Sequence, residues 1–333
     1  MSVSCDLLYA AATMPDGTEE RVPYWHLDSG QPGETYLVLA EQHGIEVHGC
    51  EVVRRCRDLC LTELRRGQAY LVPFAHPPTL RYRRSHLHLQ PEQPVAENKA
   101  NNMNLLWPGD PQGNETERLA CALHGGVVDR CTCCLDIHSW SRFTATAALA
   151  REDVPQSVAM GLASGFRFLE LIGNPRTPHA GMLENLFSSR GQGAVSVELT
   201  GQWVVRERQV REGVCCATNL AKLCGVFDGE PELLEGPVVR FHQNAWRESV
   251  TEVTAPCSGL FVEAGLGTSD RVEVGQKLGH LIRDDDLETV DIIAPVTGYL
   301  YSYGCHRADC DVALPAMHPY ADEGDVLAGI MQP

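Results

Sequence analysis

A histidine and a glutamate stand three residues apart, just after an apolar run. The run is residues 36–40 (YLVLA), and His43-Gly44-Ile45-Glu46 follows it. An imidazole and a carboxylate on one tight turn at a strand end can together hold one Zn²⁺. A catalytic zinc site of the His₂Glu kind takes two ligands from such a short spacer, a third from elsewhere and an open position for water.

A candidate for the third ligand ends a second apolar run. In residues 133–138 (CCLDIH), we expect His138 at the strand end and Asp136 two residues back on the same face. A lone His-x-x-Glu also arises by chance, so structural context must confirm the motif. His48 is a competing ligand, but we expect it inside the following helix, as a surface residue or one that supports a ligand.

The elements around the first motif form a β-α-β pattern. A strand at 35–40 precedes the His43 turn, and a helix over about 47–65 follows, with apolar residues at helical spacing. Gly67 ends the helix, and 69–75 is the next strand. This order predicts an α/β fold with a largely parallel sheet and the site at the strand ends.

Further strands and helices extend the same pattern. We expect strands at 133–138, 166–172 and 194–200 and helices over about 116–123 and 207–224. The strand at 194–200 carries Glu198 among apolar neighbours, where a carboxylate needs a partner or a function.

The chain changes texture near residue 250, where short strands and glycines predominate. An Ala-Pro-x-x-Gly pattern occurs at 255–259 and again at 294–298, and each copy is followed by a Gly-x-x-Leu or similar turn. Such a duplication predicts an all-β barrel-sandwich of the lipoyl or biotinyl kind. The hairpin at 283–289 has no lysine, so we expect a structural or gating module rather than a carrier. The predicted domains are a zinc hydrolase domain at 1–245 and this module at 246–333.

Composition excludes several functions. The 333 residues carry a net charge of −17, which argues against a general nucleic-acid binder because phosphate contacts need a basic face. The chain has neither an 18-residue apolar run nor a basic, then apolar, N-terminal signal, so we expect a cytoplasmic protein without a membrane partner.

The 14 cysteines are better interpreted as thiols than as a disulfide framework. A second, structural zinc is an alternative, but no paired Cys-x-x-Cys motifs occur at finger spacing. We therefore expect most of them to be small buried apolar residues. The cysteines considered are Cys131, Cys133, Cys134, Cys215, Cys216, Cys224, Cys305 and Cys310.

An ordered set of motifs resembles one known family. The set consists of His43-Gly44-Ile45-Glu46, Asn101-Asn102-Met103-Asn104, Trp107-Pro108-Gly109-Asp110, Thr116-Glu117-Arg118, Leu135-Asp136-Ile137-His138-Ser139 and Val197-Glu198-Leu199. Over roughly residues 35–330 these resemble the succinylglutamate desuccinylase/aspartoacylase family, relatives of the zinc carboxypeptidases. The resemblance implies a zinc-carboxypeptidase-like mixed sheet flanked by helices, and a C-terminal β-module is also a feature of that family.

The resemblance implies roles for individual residues. His43, Glu46 and His138 would bind one zinc per chain, and Glu198 would be the general acid/base. A zinc ion lowers the pKa of bound water and polarises an amide carbonyl, while a nearby carboxylate carries the proton. Asp136 would either orient a ligand imidazole or cap the next turn.

Two departures from the family bear on the substrate. Leu105 follows Asn104 where the family usually has an arginine that holds a substrate carboxylate, and His76-Pro77 stands where Asn-Pro is common. The other pocket arginine of the family falls near Arg81, Arg83 or Arg84, of which Arg84 is favoured. The resemblance therefore implies a smaller or less acidic acyl-amino compound than succinylglutamate or N-acetylaspartate.

The leading hypothesis is a zinc-dependent hydrolase of a linear amide bond, which deacylates an N-acyl amino acid or related small amine. Asn104 and an arginine, Arg81 or Arg84, would orient this small-molecule substrate. The alternatives are carboxypeptidase-like cleavage of a short peptide and a family member that binds a ligand without hydrolysing it. A homo-oligomer is consistent with the class, although no sequence feature marks an interface.

Overall fold

A computed structural model describes residues 3–89, 99–173, 181–306 and 318–333. The chain begins with an antiparallel hairpin of β1 (Ser4–Thr13) and β2 (Glu19–Asp28). Ten consecutive residue pairs align the two strands without a bulge. The hairpin forms one edge of a large sheet, with β1 outermost among the described strands. The N-terminal segment is therefore an edge hairpin.

The β-α-β unit around the His43 turn is present as predicted. Strand β3 (Thr35–Ala40) leads through the turn to α1 (His48–Glu63) and then to β4 (Gln68–Val72), which lies parallel to β3. Helix α1 is shorter than predicted because the chain is already extended at Leu64, where the helix is capped. Its apolar face packs on the sheet.

Described strands form a nine-stranded mixed sheet in the order β1-β2-β4-β3-β5-β8-β6-β7-β9. Six pairings join β4 to β9 across the sheet, and five of them are parallel, the exception being β6 against β8. Strands β1, β2 and β4 are joined antiparallel. The remaining strands are β5 (Cys133–Trp140), β6 (Ala147–Arg151), β7 (Phe168–Ile172), β8 (Gly193–Thr200) and β9 (Val239–His242).

Helices cover both faces of this sheet. One apolar core lies beneath α1 and two further helices, and a second core lies beneath two helices on the opposite face. The predicted α/β architecture is thus confirmed. The helices are α2 (Pro77–Tyr82), α3 (Glu115–Gly126), α4 (Pro155–Ala163), α5 (Leu183–Ser188), α6 (Glu207–Leu223) and the single turn α7 (Trp246–Ser249).

Beyond residue 250 the described strands form two antiparallel four-stranded sheets, ordered β10-β17-β15-β12 and β14-β13-β11-β16. The two sheets enclose a separate apolar core. They comprise β10 (Val250–Thr254), β11 (Gly259–Glu263), β12 (Arg271–Val272), β13 (Lys277–Ile282), β14 (Thr289–Ile293), β15 (Gly298–His306), β16 (Tyr320–Ala321) and β17 (Val326–Met331).

The β-module is anchored to the large sheet by an aromatic contact. The Tyr301 ring meets Trp140, Phe168 and Phe241 edge-on, with ring centroids 5.2 to 6.1 Å apart. The Ala145 N–H also donates to the Tyr301 carbonyl at 2.8 Å. Such edge-to-face pairs stabilise beyond the area they bury. The module therefore lies against the end of the sheet that carries β6 and β7.

The cysteines mostly follow the prediction. Five of those considered are buried, namely Cys131, Cys133, Cys134, Cys216 and Cys305. Cys224 is half-buried, whereas Cys215 is exposed on α6, so the prediction was wrong for Cys215. Cys310 lies outside the described residues.

Candidate metal centre

The turn after β3 holds the first two candidate ligands. The Glu46 N–H donates to the His43 carbonyl at 3.0 Å, which closes the turn between them. Gly44 lies so close to α2 that a Cβ atom there would be 2.2 Å from the Thr79 carbonyl carbon. The glycine is thus required by close backbone approach. The turn places both side chains at the carboxyl end of the sheet.

The third candidate lies on the adjacent strand. β5 is parallel to β3, so the carboxyl ends of the two strands lie side by side. His138 is the residue just beyond the Ala40–Ile137 pair. One ligand atom from each of His43, Glu46 and His138 lies within 4.8 Å of the others. All three residues are buried, with 9%, 7% and 2% of their surface exposed. The described residues therefore contain a compact His₂Glu cluster.

Both imidazoles present the same nitrogen to Glu46. His43 Nδ1 is 3.0 Å from Glu46 Oε1, and His138 Nδ1 is 3.0 Å from Glu46 Oε2. The Ser139 N–H also donates to Glu46 Oε2 at 3.1 Å, which fixes the carboxylate. Two imidazole nitrogens and one carboxylate facing a common point are the donor set of a His₂Glu metal site.

Asn102 determines which nitrogen of the neutral His43 ring carries the proton. Asn102 Oδ1 accepts the Asn104 N–H at 3.1 Å, so this amide oxygen is oriented as an acceptor. It also lies 2.9 Å from His43 Nε2, which must then be the donor. In a neutral ring the proton therefore sits on Nε2, and the Nδ1 lone pair faces the cluster.

A hydrogen-bond chain orients the His138 ring. Trp107 Nε1–H donates to Gln42 Oε1 at 2.7 Å, so the Gln42 amide nitrogen faces the other way and donates to Asp136 Oδ2 at 2.7 Å. The same carboxylate oxygen is 3.0 Å from His138 Nε2 and can accept from it. Asp136 therefore orients the imidazole, as carboxylates commonly do behind metal-ligating histidines. Of the two predicted roles for Asp136, this contact supports the first.

The electrostatics of the cluster match these contacts. Burial would raise the pKa of Glu46, but the nearby His43 and His138 rings outweigh it and hold this pKa well below the ordinary value. Burial would lower the pKa of His138, but Asp136 and Glu46 raise it well above the ordinary value. The negative charge of Glu46 and a positive charge on His138 thus stabilise each other, although burial alone would destabilise both.

Glu198 lies beside the cluster. It is the register partner of His138 on β8, and its other neighbour, Ala147 on β6, is small. Burial, and then the charge of Glu46, raise the pKa of Glu198 well above its ordinary value. Glu198 Oε2 is buried and has no hydrogen-bond partner. A carboxyl group of this kind can hold and release a proton.

The predicted substrate-binding residues lie in different places. Asn104 lies next to Asn102, and its buried side-chain oxygen has no hydrogen-bond partner. Arg81, whose side chain is 58% exposed, forms an ion pair with Glu20 of the N-terminal hairpin. Arg84 donates to the Leu89 carbonyl at 3.1 Å. The contacts described here bring neither arginine to the cluster, so their role in substrate binding stays a prediction.

Other residues at the site were not predicted from the sequence. Asn102, Gln42 and Trp107 support the ligands, yet none was assigned this role. His86 was not assigned a role either, but its ring meets the His43 ring edge-on at 5.0 Å between centroids. Burial, and then His43, lower the pKa of His86 to about 3, so the ring is neutral at pH 7.

His48 corrects a prediction. It begins α1 and is fully buried rather than lying at the surface. Its ring packs near Gly201, where a Cβ atom would lie 3.6 Å from His48 Cε1. Burial, and then the charge of Arg206, lower its pKa to about 4. It is not one of the three clustered ligands.

Solved structures give the fold independent support. A product-bound ectoine utilization protein, EutE, from Ruegeria pomeroyi is 19% identical with a TM-score of 0.67, over 100% of this chain and 96% of that one. A succinylglutamate desuccinylase/aspartoacylase from Rhodobacter sphaeroides is 18% identical with a TM-score of 0.66, over 99% and 95%. An aspartoacylase family protein from Mesorhizobium loti is 20% identical with a TM-score of 0.62, over 100% and 96%. At these identities the likeness establishes the fold.

A comparison with curated proteins gives no match. Within the described ranges, no helix has the length and apolar character that a membrane crossing requires. The model of the succinylglutamate desuccinylase/aspartoacylase catalytic domain matches residues 32–223, which is more than half of the chain and includes all three clustered ligands and Glu198. The chain therefore belongs to the succinylglutamate desuccinylase/aspartoacylase family.

Proposed function

We propose that this protein is a zinc-dependent deacylase that hydrolyses the amide bond of an N-acyl amino acid or a related small N-acyl amine. The observation that carries the proposal is the buried His43–Glu46–His138 cluster with Glu198 as the neighbour of His138. Nitrogen and carboxylate donors of this number suit zinc, and the outer nitrogens of both imidazoles already have acceptors. The donor set therefore fits one zinc ion per chain.

The three clustered residues and Glu198 would have different roles in the reaction. His43, Glu46 and His138 would hold the ion, which supplies a Lewis acid for the substrate carbonyl and a more acidic water. Glu198 would take a proton from the attacking water and return it to the departing amine nitrogen. Its raised pKa suits the second of these steps, because the carboxyl group keeps the proton until the amine needs it.

Neutral polar groups would position the substrate. Asn104 has a buried amide oxygen without a partner, and the neutral ring of His86 adjoins His43. Leu105 stands where the family usually has a cation for a second carboxylate. These residues favour a small or weakly acidic acyl compound. The role of Arg81, on α2, and of Arg84, just after it, in binding the substrate stays a prediction.

The C-terminal module would narrow access to the site. Its two antiparallel sheets and separate core support the lipoyl- or biotinyl-like interpretation, and the loop between β13 and β14, residues 283–288, has no lysine to modify. The location in the cytoplasm also stays a prediction.

Turnover of two substrate sets tests the proposal. Zinc-loaded protein is incubated with a panel of N-acyl amino acids and N-acyl amines, and separately with short peptides, and the released amine is quantified. We expect release from the N-acyl panel that stops on chelation of the metal. Release of C-terminal residues from peptides alone would favour a carboxypeptidase. Binding without turnover in either set would favour a ligand-binding family member.

A further inference from the structure

We propose that the chain forms a two-fold symmetric dimer in which β1 pairs antiparallel with β1 of a second copy, centred on Leu8. The proposal rests on the N-terminal hairpin and is independent of the proposed function. Among the described residues β1 pairs only with β2, so the backbone groups on its outer side are open to another strand.

The open strand lacks most of the features that usually protect a sheet edge. β1 is ten residues long, pairs with β2 without a bulge and contains neither lysine nor proline. Three consecutive large apolar side chains are exposed on it: Leu7 by 52%, Leu8 by 39% and Tyr9 by 46%. Long, regular and apolar edges of this kind are sites of strand addition.

The sequence of β1 is complementary to itself about Leu8. In an antiparallel pair centred there, Leu8 faces Leu8 of the second copy, and Leu7 faces Tyr9. All three exposed apolar side chains would then be covered. The only charged residue on the strand, Asp6, would face Ala10, so no like charges would meet. A symmetric pairing of one patch with itself is the commonest kind of homodimer interface.

The position of helix α3 is compatible with a two-fold axis at Leu8. α3 covers only the second half of β1, since Arg118 donates to the Thr13 carbonyl at 2.9 Å and Gly126 lies beside Ala10. A two-fold axis at Leu8 separates the two α3 helices by about 20 Å along the strands, at roughly 3.4 Å per residue, which exceeds a helix diameter of about 10 Å. Each helix would then lie beside the uncovered half of the other copy's strand.

The mass in solution tests the dimer. Light scattering after size exclusion should give twice the 36.6 kDa chain mass for the wild type. Leu8→Lys would place two ammonium groups opposite each other, so we expect it to elute as a folded monomer. Leu61→Lys, at a similarly exposed leucine on α1, is the matched control and should remain a dimer. A monomeric wild type, or a Leu8→Lys variant that stays dimeric, would overturn the proposal.

Disulfide trapping tests the register. Leu8→Cys would place two thiols on directly opposed residues, within the Cα separation that a disulfide spans. Leu7→Cys would leave its two thiols diagonal across the strands, at a Cα separation of about 8 Å, beyond disulfide reach. Under mild oxidation we expect a covalent dimer for Leu8→Cys at least tenfold more than for Leu7→Cys or wild type. Equal trapping in the two variants would contradict the Leu8-centred register.

Discussion

His138 and Glu198 lie directly opposite each other on neighbouring parallel strands, β5 and β8. One residue belongs to the candidate metal cluster, and the other carries the carboxyl group proposed as acid/base. Side chains at paired positions of adjacent strands share a face of the sheet. The sheet itself, rather than a loop, thus fixes the distance between the ligand cluster and the proton carrier.

Glu198→Gln should abolish most of the activity while leaving the protein folded. The amide is nearly the same shape but cannot carry the proton, so we expect kcat to fall by roughly 10²- to 10⁴-fold. Metal content and the unfolding midpoint should match the wild type. Steady-state amine release measures the effect. Glu34→Gln is the control and should keep full activity. Glu34 is an exposed carboxylate just before β3, at the end of the strand away from the cluster. Equal kcat in both variants would remove Glu198 from the mechanism.

Asn102→Ala should weaken metal binding. The substitution removes the acceptor for His43 Nε2, so the ring loses its orientation and its preferred proton position. Comparable supporting contacts contribute about 10- to 100-fold in metal affinity. Competition with a chromophoric chelator measures the Kd for zinc. Asn102→Asp retains an acceptor oxygen and should bind zinc at least as tightly as the wild type. Unchanged affinity in Asn102→Ala would show that this contact does not support the ligand.

Gly44→Ala should disturb the ligand turn. The added methyl group would meet the α2 backbone, 2.3 Å from the Thr79 carbonyl oxygen and 2.5 Å from the Leu80 nitrogen. Overpacking against backbone typically destabilises by about 1–3 kcal/mol, and here the shift also displaces His43 and Glu46. Denaturant unfolding and zinc affinity should both decline. Gly125→Ala on α3 has open space around the new methyl group and should change stability by less than about 1 kcal/mol. Equal stability of the two variants would contradict the close contact.

Glu170 should make stability depend on pH. Burial raises its pKa from 4.5 to about 7. Below pH 4.5 the carboxyl group is protonated in the folded and unfolded chain alike. Between pH 4.5 and about 7 the unfolded chain loses this proton while the folded chain keeps it, which favours the unfolded chain. The free energy of unfolding therefore falls by up to about 3 kcal/mol as the pH rises through 7.

Glu170→Gln removes that dependence. The variant should be more stable than the wild type at pH 8, and the difference should fade toward pH 5. Thermal unfolding at several pH values measures it. Glu63→Gln, at an exposed carboxylate of α1, should follow the wild type throughout. A difference between Glu170→Gln and wild type that is the same at pH 5 and pH 8 would mean that Glu170 has an ordinary pKa in the folded protein.

The residues that sequence reasoning located are those fixed by local structure. His43, Glu46, His138 and Glu198 each stand at or near the end of an apolar strand, and parallel strands bring such ends together. The contacts that support them cross long stretches of chain, with 94 residues between Gln42 and Asp136 and 65 between Gln42 and Trp107. No local pattern marks such pairs.

The position of His48 and the directions of two arginine side chains likewise depend on contacts or turns that no local sequence pattern marks. His48 was expected inside the helix, as a surface residue or one that supports a ligand. It begins the helix instead and is fully buried, because the Gly201 turn covers that helix end. The role of Arg81 and Arg84 in substrate binding stays a prediction. The direction of their side chains depends on how α2 ends, and it ends at Arg83 in a left-handed conformation, with φ of 54°, which the residue types do not indicate.

The metal content of the purified protein, measured by elemental analysis on wild type beside His43→Ala and Glu198→Gln, tests the metal centre most directly. We expect about one zinc per chain in the wild type, loss of that zinc in His43→Ala and its retention in inactive Glu198→Gln. A wild type that holds no metal after zinc loading and removal of excess ion, or a His43→Ala variant that keeps its zinc, would contradict the proposed metal centre.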